Sequence, residues 1–478
     1  MNRRTISPLV AAISLSLSSC ADPAPPLNIV VILIDDLGWA DTGVYGSTFY
    51  ETPNIDALAA RGVRFTDFYT ASPVCSPTRA SIMAGKHPAR LDLTNWIGGE
   101  QNGLLDQASY IRQLPLEETT IGEAFSAQGY ATGYVGKWHL GTEGFMPELQ
   151  GFEYNFGVNH AGQPGSYFPP YSTGNNNQSA VPDLGGDPED AYLTDRLTDA
   201  SLEFMGKNAD QPFLLVLSHY AVHTPLQGQA DVVARYEEKA ALLPPESDEH
   251  YESERESSTR LRQDHPDYAA MIESVDQSVG RISAELIELG IEDRTVIVFM
   301  SDNGGLSTLM RRGFSQATAN VPLRAGKGWL YEGGIRAPLI VVMPGAPQGV
   351  TSDQLAVSTD LFPTLLDLAG LPGLPTQHTD GVSLGHAIRG ETSDRGSLYW
   401  HFPHYHGSGN RPGGAIRSGD LKLVEWFEDG AVELYDLGSD LSERRDLAGE
   451  RPDEVARLLG ELRDWREEVG ANMPLVRR

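Results

Sequence analysis

Cysteine is nearly missing from this chain, which carries two in 478 residues, at positions 20 and 75. Two thiols cannot build the disulfide framework of a small secreted scaffold, and if Cys20 is removed or lipidated no disulfide accounts for Cys75. Positive charge is also in short supply: Lys+Arg 36 against Asp+Glu 65 gives a formal net charge of −29. That field repels nucleic acid and anionic membrane surfaces, so nucleic acid is excluded as a partner and an anionic substrate must be captured by local cations or a metal. Internal repeats, coiled-coil heptads and nucleic-acid-binding motifs are absent as well.

What the chain does have is material for a core. Hydrophobic residues make up 40%, with 50 glycines and 31 prolines, the composition of a loop-rich globular enzyme rather than a disordered chain. The length fits one large α/β unit with a smaller one beside it. At the start, Arg3-Arg4 precede an apolar stretch from about Leu9 to Leu17 and then small residues. This is the layout of a secretory signal over residues 1–20, and the stretch is too short to span a bilayer. Leu17-Ser18-Ser19-Cys20 resembles a bacterial lipobox, in which Cys20 becomes a lipidated membrane anchor, and residues 21–27 follow as a Pro-rich tether. The expectation is an exported protein, periplasmic or membrane-anchored as a lipoprotein, with ordinary signal cleavage as the other reading.

Ile29-Val30-Val31-Ile32-Leu33-Ile34 is continuously apolar and rich in β-branched residues, bounded by Pro26 and Asp35-Asp36. This pattern predicts a buried parallel strand. Similar stretches at Ala131 to Val135, Phe213 to Leu217 and Thr295 to Met300 alternate with helical periodicity at Thr119 to Gln128, Leu193 to Met205 and Tyr268 to Leu289. The expected fold is α/β, a central, mostly parallel sheet flanked by helices over residues 28–374. Residues 375–478 read as a smaller α+β subdomain with antiparallel strands such as Leu421 to Trp426 and Val432 to Tyr435. Its terminal helix is striped by Val455, Leu458, Leu459, Leu462, Trp465 and Val469.

The residues after each strand carry the chemistry. Asp35-Asp36 follow the first, Gly136-Lys137-Trp138-His139 the second, His219 and His223 the third, and Asp302-Asn303-Gly304-Gly305 the fourth. In an open parallel sheet all of them reach the carboxyl edge, where ligands bind. One Asp pair after a strand serves equally well as a turn cap; four clusters on one edge point to a site. Three acids and an amide suit a hard cation, Ca²⁺ ahead of Mg²⁺, rather than zinc. Ser76 and Pro77 predict a helix start, with Ser76 as N-cap and Pro77 as the first helical residue, placing Cys75 beside a helix N-terminus suited to an anion. By its local sequence alone, Cys75 reads equally as a buried structural thiol.

Cys75-x-Pro77-x-Arg79 resembles the modification motif of the type I, formylglycine-dependent sulfatases. The similarity extends through Asn28 to Gly38, Thr52-Pro53-Asn54-Ile55-Asp56, Gly136-Lys137-Trp138-His139-Leu140-Gly141 and His223-Thr224-Pro225. It continues through Ser301 to Gly305, Leu323 to Gly328 and Glu332 to Pro338. The resemblance implies an alkaline-phosphatase-like fold and sulfate-ester hydrolysis through a formylglycine made from Cys75 by a formylglycine-generating maturation enzyme. It implies that Asp35, Asp36, Asp302, Asn303 and the modified residue 75 ligate Ca²⁺. Arg79 would hold the formylglycine, while Lys137, Lys327 and His223 bind sulfate. Asp302 would help activate the hydrated aldehyde, His223 protonate the leaving alcohol, and His139 take the proton whose loss expels sulfate.

The leaving-group side is read from Tyr399-Trp400-His401-Phe402-Pro403-His404-Tyr405-His406, whose imidazoles and aromatics suit a sugar ring and make His401 and His404 candidate substrate-binding residues. A loop that packs the subdomain is the equal alternative. A similar run occurs in sulfatases acting on polysaccharides, so a sulfated saccharide is the expected substrate. Two other readings stand: a phosphonate or phosphodiester hydrolase of the same superfamily, and a catalytically silent surface glycan-binding protein.

Overall fold

In the computed structural model, residues 26–172, 180–313, 316–392 and 395–477 are described; the expected signal, Cys20 and most of the tether lie outside them. β1 (Asn28–Ile34) is buried along its whole length, because helices cover both faces of the sheet it centres. Successive side chains of a strand alternate between faces. Accordingly Ile29, Val31 and Leu33 enter one hydrophobic cluster, and Val30, Ile32 and Ile34 enter another.

The sheet adds β2 (Val63–Phe65), β3 (Ala131–Gly136), β4 (Tyr154–Phe156), β5 (Phe213–Ser218), β6 (Thr295–Ser301), β7 (Leu339–Val342) and β8 (Val350–Ser352). Their spatial order is β8-β2-β7-β6-β1-β5-β3-β4. β1 pairs in parallel with β5 and β6, with Val31 level with Val216 and Val298. β7 is antiparallel to both of its neighbours, β6 and β2. One face is covered by α1 (Pro53–Ala60), α4 (Leu193–Lys207), α5 (Ala230–Ala241) and α6 (Pro266–Glu288); the other by α2 (Cys75–Ala84), α3 (Ile121–Ser126) and α7 (Leu361–Leu368). α3 starts at a capping box, Thr120 with Glu123, which satisfies two of the orphan N–H groups at its first turn.

β9 (Leu398–Phe402), β10 (Gly413–Ser418), β11 (Leu421–Trp426) and β12 (Val432–Asp436) form an antiparallel sheet in chain order. α8 (Pro452–Val469) lays Leu458 and Leu462 against Ile416, Leu423 and Leu434 on one face. Its Trp465 stacks on Tyr399 with ring centroids 4.9 Å apart. The opposite face buries Trp400, Phe402 and Trp426 against Tyr69, Trp329 and Tyr331 of the main body. A buried ion network crosses this junction: Lys422 Nζ lies 2.9 Å from Glu332 Oε1 and 2.8 Å from Glu443 Oε1. Leu384, Ala387 and Ile388, which the sequence reading assigned to the second region, pack in the main body with α2 and α7. Among the described residues no helix is long and apolar enough to cross a membrane.

Candidate active site

The parallel strands deliver their carboxyl ends to one edge. There Asp35 and Asp36 follow β1, Lys137 to His139 follow β3, His219 to His223 follow β5, and Asp302 and Asn303 follow β6. Asp36 (φ 64°) and His139 (φ 57°) adopt the left-handed region, which costs a non-glycine residue free energy and persists where surrounding structure demands it. Cys75 is the first residue of α2, whose N-cap is Val74. The helix therefore begins earlier than predicted; Pro77 fits because N–H groups of the first turn have no intrahelical partner to lose. Ser76 does not cap: its Oγ accepts from the Ile97 N–H at 3.1 Å.

Around Cys75 the charges alternate in sign. Lys137 Nζ is 2.6 Å from Asp35 Oδ2, Lys327 Nζ is 2.8 Å from Asp36 Oδ2 and 3.4 Å from Cys75 Sγ, and Arg79 Nε is 2.8 Å from Asp302 Oδ2. Cys75 Sγ lies 3.6 Å from Asp35 Oδ1. Arg79 also donates to the Lys137 carbonyl at 2.8 Å and to Ser218 Oγ at 2.6 Å, while its Nη2 is buried with no partner. Asn303 Nδ2 donates to Asp36 Oδ1 at 2.8 Å, leaving a buried Asn303 Oδ1 unpaired. These side chains are all buried, and three carboxylates against three cations make the set neutral, as charges removed from water must be.

Burial pushes the Asp35 carboxyl up to about 7 against the pull of Lys137. Burial also raises Asp36, but Lys327, His223 and Lys137 outweigh it and hold that carboxyl below its usual range. Burial pushes the Cys75 thiol up to about 12. An unmodified Cys75 is thus a thiol at neutral pH, and a thiol is a poor nucleophile.

His139 Nε2 is 3.3 Å from the Ile97 carbonyl, so it carries the proton and leaves the unpaired Nδ1 as a bare base. Burial, followed by Lys137, holds the ring neutral by lowering its pKa well below the ordinary value. His223 donates Nδ1–H to the Thr224 carbonyl at 3.0 Å, and its Nε2 stands 3.6 Å from Asp36 Oδ2. Two acceptors facing one another ask for a proton or a cation between them. Ligand atoms of Asp35, Asp36, Cys75 and His223 all lie within 4.8 Å of one another, a grouping able to hold a metal ion.

A cavity of about 530 Å³ opens above Cys75, walled by Trp96, His139, Gly162, His223, Leu306, Leu309, Lys327 and His406. His401 and His404 do not line it, in contrast to the sequence expectation. His401 Nε2 is bonded to the Asn472 carbonyl at 2.8 Å and His404 Nε2 to Thr94 Oγ1 at 2.8 Å, both rings buried. Strand alternation turns His401 away from Trp400 and Phe402, toward the segment that follows α8, while His404, beyond the end of β9, packs against Thr94 and Tyr110. The imidazole that reaches the cavity is His406, two residues on, its Nδ1 engaged with Ser408 Oγ at 2.8 Å. Only its place at the end of the same aromatic run hinted at it.

The family model "Sulfatase" matches residues 27–371, and "N-sulphoglucosamine sulphohydrolase, C-terminal" matches residues 325–468. A sulfatase of Formosa agariphila is 31% identical over 96% of this chain and 91% of its own length. Arylsulfatase A of Homo sapiens is 33% identical over 91% and 86%, respectively. The crystal structure of Ps i-CgsB superposes with a TM-score of 0.75 at 30% identity, covering 92% of this chain and 93% of that one; the same protein in complex with k-i-k-neocarrahexaose gives 0.74 at 29%, with the same coverage.

Proposed function

This chain belongs to the sulfatase family and is a sulfuric ester hydrolase, and from that premise we propose that it removes sulfate from a sulfated saccharide using a formylglycine made from Cys75 and a bound calcium ion. The observation that carries the reading is the buried, sign-alternating set of Asp35, Asp36, Asp302, Arg79, Lys137 and Lys327 around residue 75, at the floor of a cavity wide enough for a sugar. The inert thiol supports the modification. The saccharide is supported by the neocarrahexaose held by the similar Ps i-CgsB.

The donor set fits a hard cation. Asp35, Asp36, Asp302 and Asn303 offer oxygen, and the buried Asn303 Oδ1 lacks a partner, as a ligand atom does before its ion arrives. Calcium, with its tolerant geometry, suits this crowded group better than Mg²⁺, which demands a near-ideal octahedron. When bound, the ion supplies Lewis acidity to the hydroxyl of the hydrated residue 75 and to a sulfate oxygen. With it the neutral set becomes net positive, which draws in an anionic ester.

The chain's own residues do the rest. Lys137, Lys327 and Arg79 surround residue 75 closely enough to hold sulfate oxygens and to favour the charge that grows on them as the ester bond breaks. His223, on the cavity wall, is the proton donor to the departing alcohol once its Nε2 has taken up a proton, and His139, with Nδ1 bare, is the base that resets residue 75. A maturation enzyme is the implied partner. We further place the protein outside the cytoplasm, on the strength of residues 1–20, with Cys20 as its lipid anchor.

Sulfate release from sulfated mono- and oligosaccharides and an aryl sulfate tests the reading, using protein matured in the presence of the modifying enzyme and supplied with calcium. The mass of the 65–79 peptide verifies residue 75, and Cys75→Ala serves as control. Release that vanishes in the control is expected. Equal release by the control, or turnover of phosphonate esters alone, would overturn it.

A further inference from the structure

The cavity above Cys75 reaches His406. A second cavity of about 570 Å³ shares His406 with it, and the same three chain segments contribute to both. Trp96 lines the first and Gln101 to Leu104 the second; Leu309 the first and Met310 the second; His406 is common to both. A molecule bound at Cys75 and extending past His406 enters this space.

Its lining has a definite chemistry. Gln101 and Asn102, both exposed, line it with side-chain amides. Leu104 and Met310, 72% and 55% exposed, form apolar surface beside them. The arginines are already paired: Arg411 lies 2.9 Å from Glu428, and Arg255 lies 3.0 Å from Glu433 with its guanidinium over Trp426. Amide groups with apolar platforms beside them match the hydroxyls and C–H faces of a sugar ring. Paired arginines offer little to a second sulfate, because binding it would break ion pairs already formed.

We propose that the second cavity holds the neighbouring, uncharged sugar residue of an oligosaccharide whose sulfated residue sits at Cys75. This deepens the saccharide reading and rests on it. The enzyme is therefore built for a chain rather than for a free sulfated sugar, with the next residue unsulfated.

The test compares sulfate release from sulfated monosaccharides with release from oligosaccharides carrying the same residue, with the adjoining sugar either sulfated or not. Wild type is set against Leu104→Asp and Met310→Asp, both exposed positions that folding tolerates, with melting curves recorded for each. Wild type is expected to favour the oligosaccharide with the unsulfated neighbour by about tenfold in kcat/KM, chiefly through KM, the scale of one lost contact cluster. Each variant is expected to erase that advantage and leave the monosaccharide constants unchanged. No preference for the oligosaccharide, a preference for the doubly sulfated one, or variants that impair both substrates alike would overturn the proposal while leaving sulfate hydrolysis intact. Turnover of aryl sulfate with none of any saccharide would instead sink the saccharide reading, and this inference with it.

Discussion

Lys327→Met isolates the contribution of one cation to the chemistry. Lys327 is 6% exposed and its ammonium lies 2.8 Å from Asp36 Oδ2 and 3.4 Å from Cys75 Sγ, while methionine keeps the length of the stem. Two unit charges 4 Å apart interact by about 4 kcal/mol at an effective dielectric of 20, and a hydrogen bond to a charged group contributes about 1.5–3 kcal/mol net. Taking about 3 kcal/mol for the lost contact with a sulfate oxygen gives a fall in kcat/KM of about 150-fold. Sulfate release from an aryl sulfate measures it, with calcium present, the mass of residue 75 verified and a melting curve showing that the variant folds. A fall mainly in kcat means the contact tightens in the transition state; a rise in KM alone means it holds ground and transition states equally. A loss smaller than about threefold, with residue 75 fully converted, would refute the role given to Lys327.

Other perturbations reach other parts of the molecule. Lys422→Met strips Glu332 and Glu443 of their shared cation and is expected to cost about 3–5 kcal/mol by denaturant titration, with partial recovery on adding Glu443→Gln; a cost below about 1 kcal/mol would show that the junction does not depend on the network. Chelation is expected to lower both activity and melting temperature, with Ca²⁺ restoring them better than Mg²⁺; at a free concentration of about 100 times Kd the stabilisation is about 2.7 kcal/mol, and a melting temperature indifferent to chelator would argue against a resident ion. Burial lowers His401 and His404 to about 3 from an ordinary 6.5. A depressed folded-state pKa gives stability that is full above the ordinary value and lost as pH falls through the folded one. Melting temperature should therefore decline as pH drops from about 6.5 toward 3, and the decline should be shallower in His401→Gln/His404→Gln; parallel curves would count against this source.

The parts of the fold legible in the sequence are those whose burial is continuous. β1, β3, β5 and β6 announce themselves as apolar runs, and the polar residues just beyond them were bound to meet because parallel strands end on one edge. β7 escaped notice: Leu339 to Val342 is four residues long, and its reversed direction depends on β6 and β2, which the segment itself does not encode. α5 was missed for a different reason, since only Val232 and Tyr236 of its twelve residues are buried. The histidines of 401–406 show the same limit on the site. Composition marked the run as chemically useful, but which ring faces the cavity depends on where β9 ends and on Ser408 and Asn472, contacts that no local pattern specifies. Lys422 and its two glutamates, spread over more than a hundred positions, give no local sign that they share one buried space.

The alternation of β1 reaches beyond packing. Its even and odd residues are claimed by different hydrophobic clusters, and the strand leads directly into Asp35 and Asp36, where the backbone turns through the left-handed Asp36 and the two carboxylates engage different lysines. The core acts as a ruler for the chemistry. Inserting or deleting a single residue in β1 would turn the buried side chains on one side of the change to the wrong face and displace both aspartates at once, so a change of length here would damage fold and catalysis in the same step. The rim, where Leu104 and Met310 sit exposed, is under no such constraint of length.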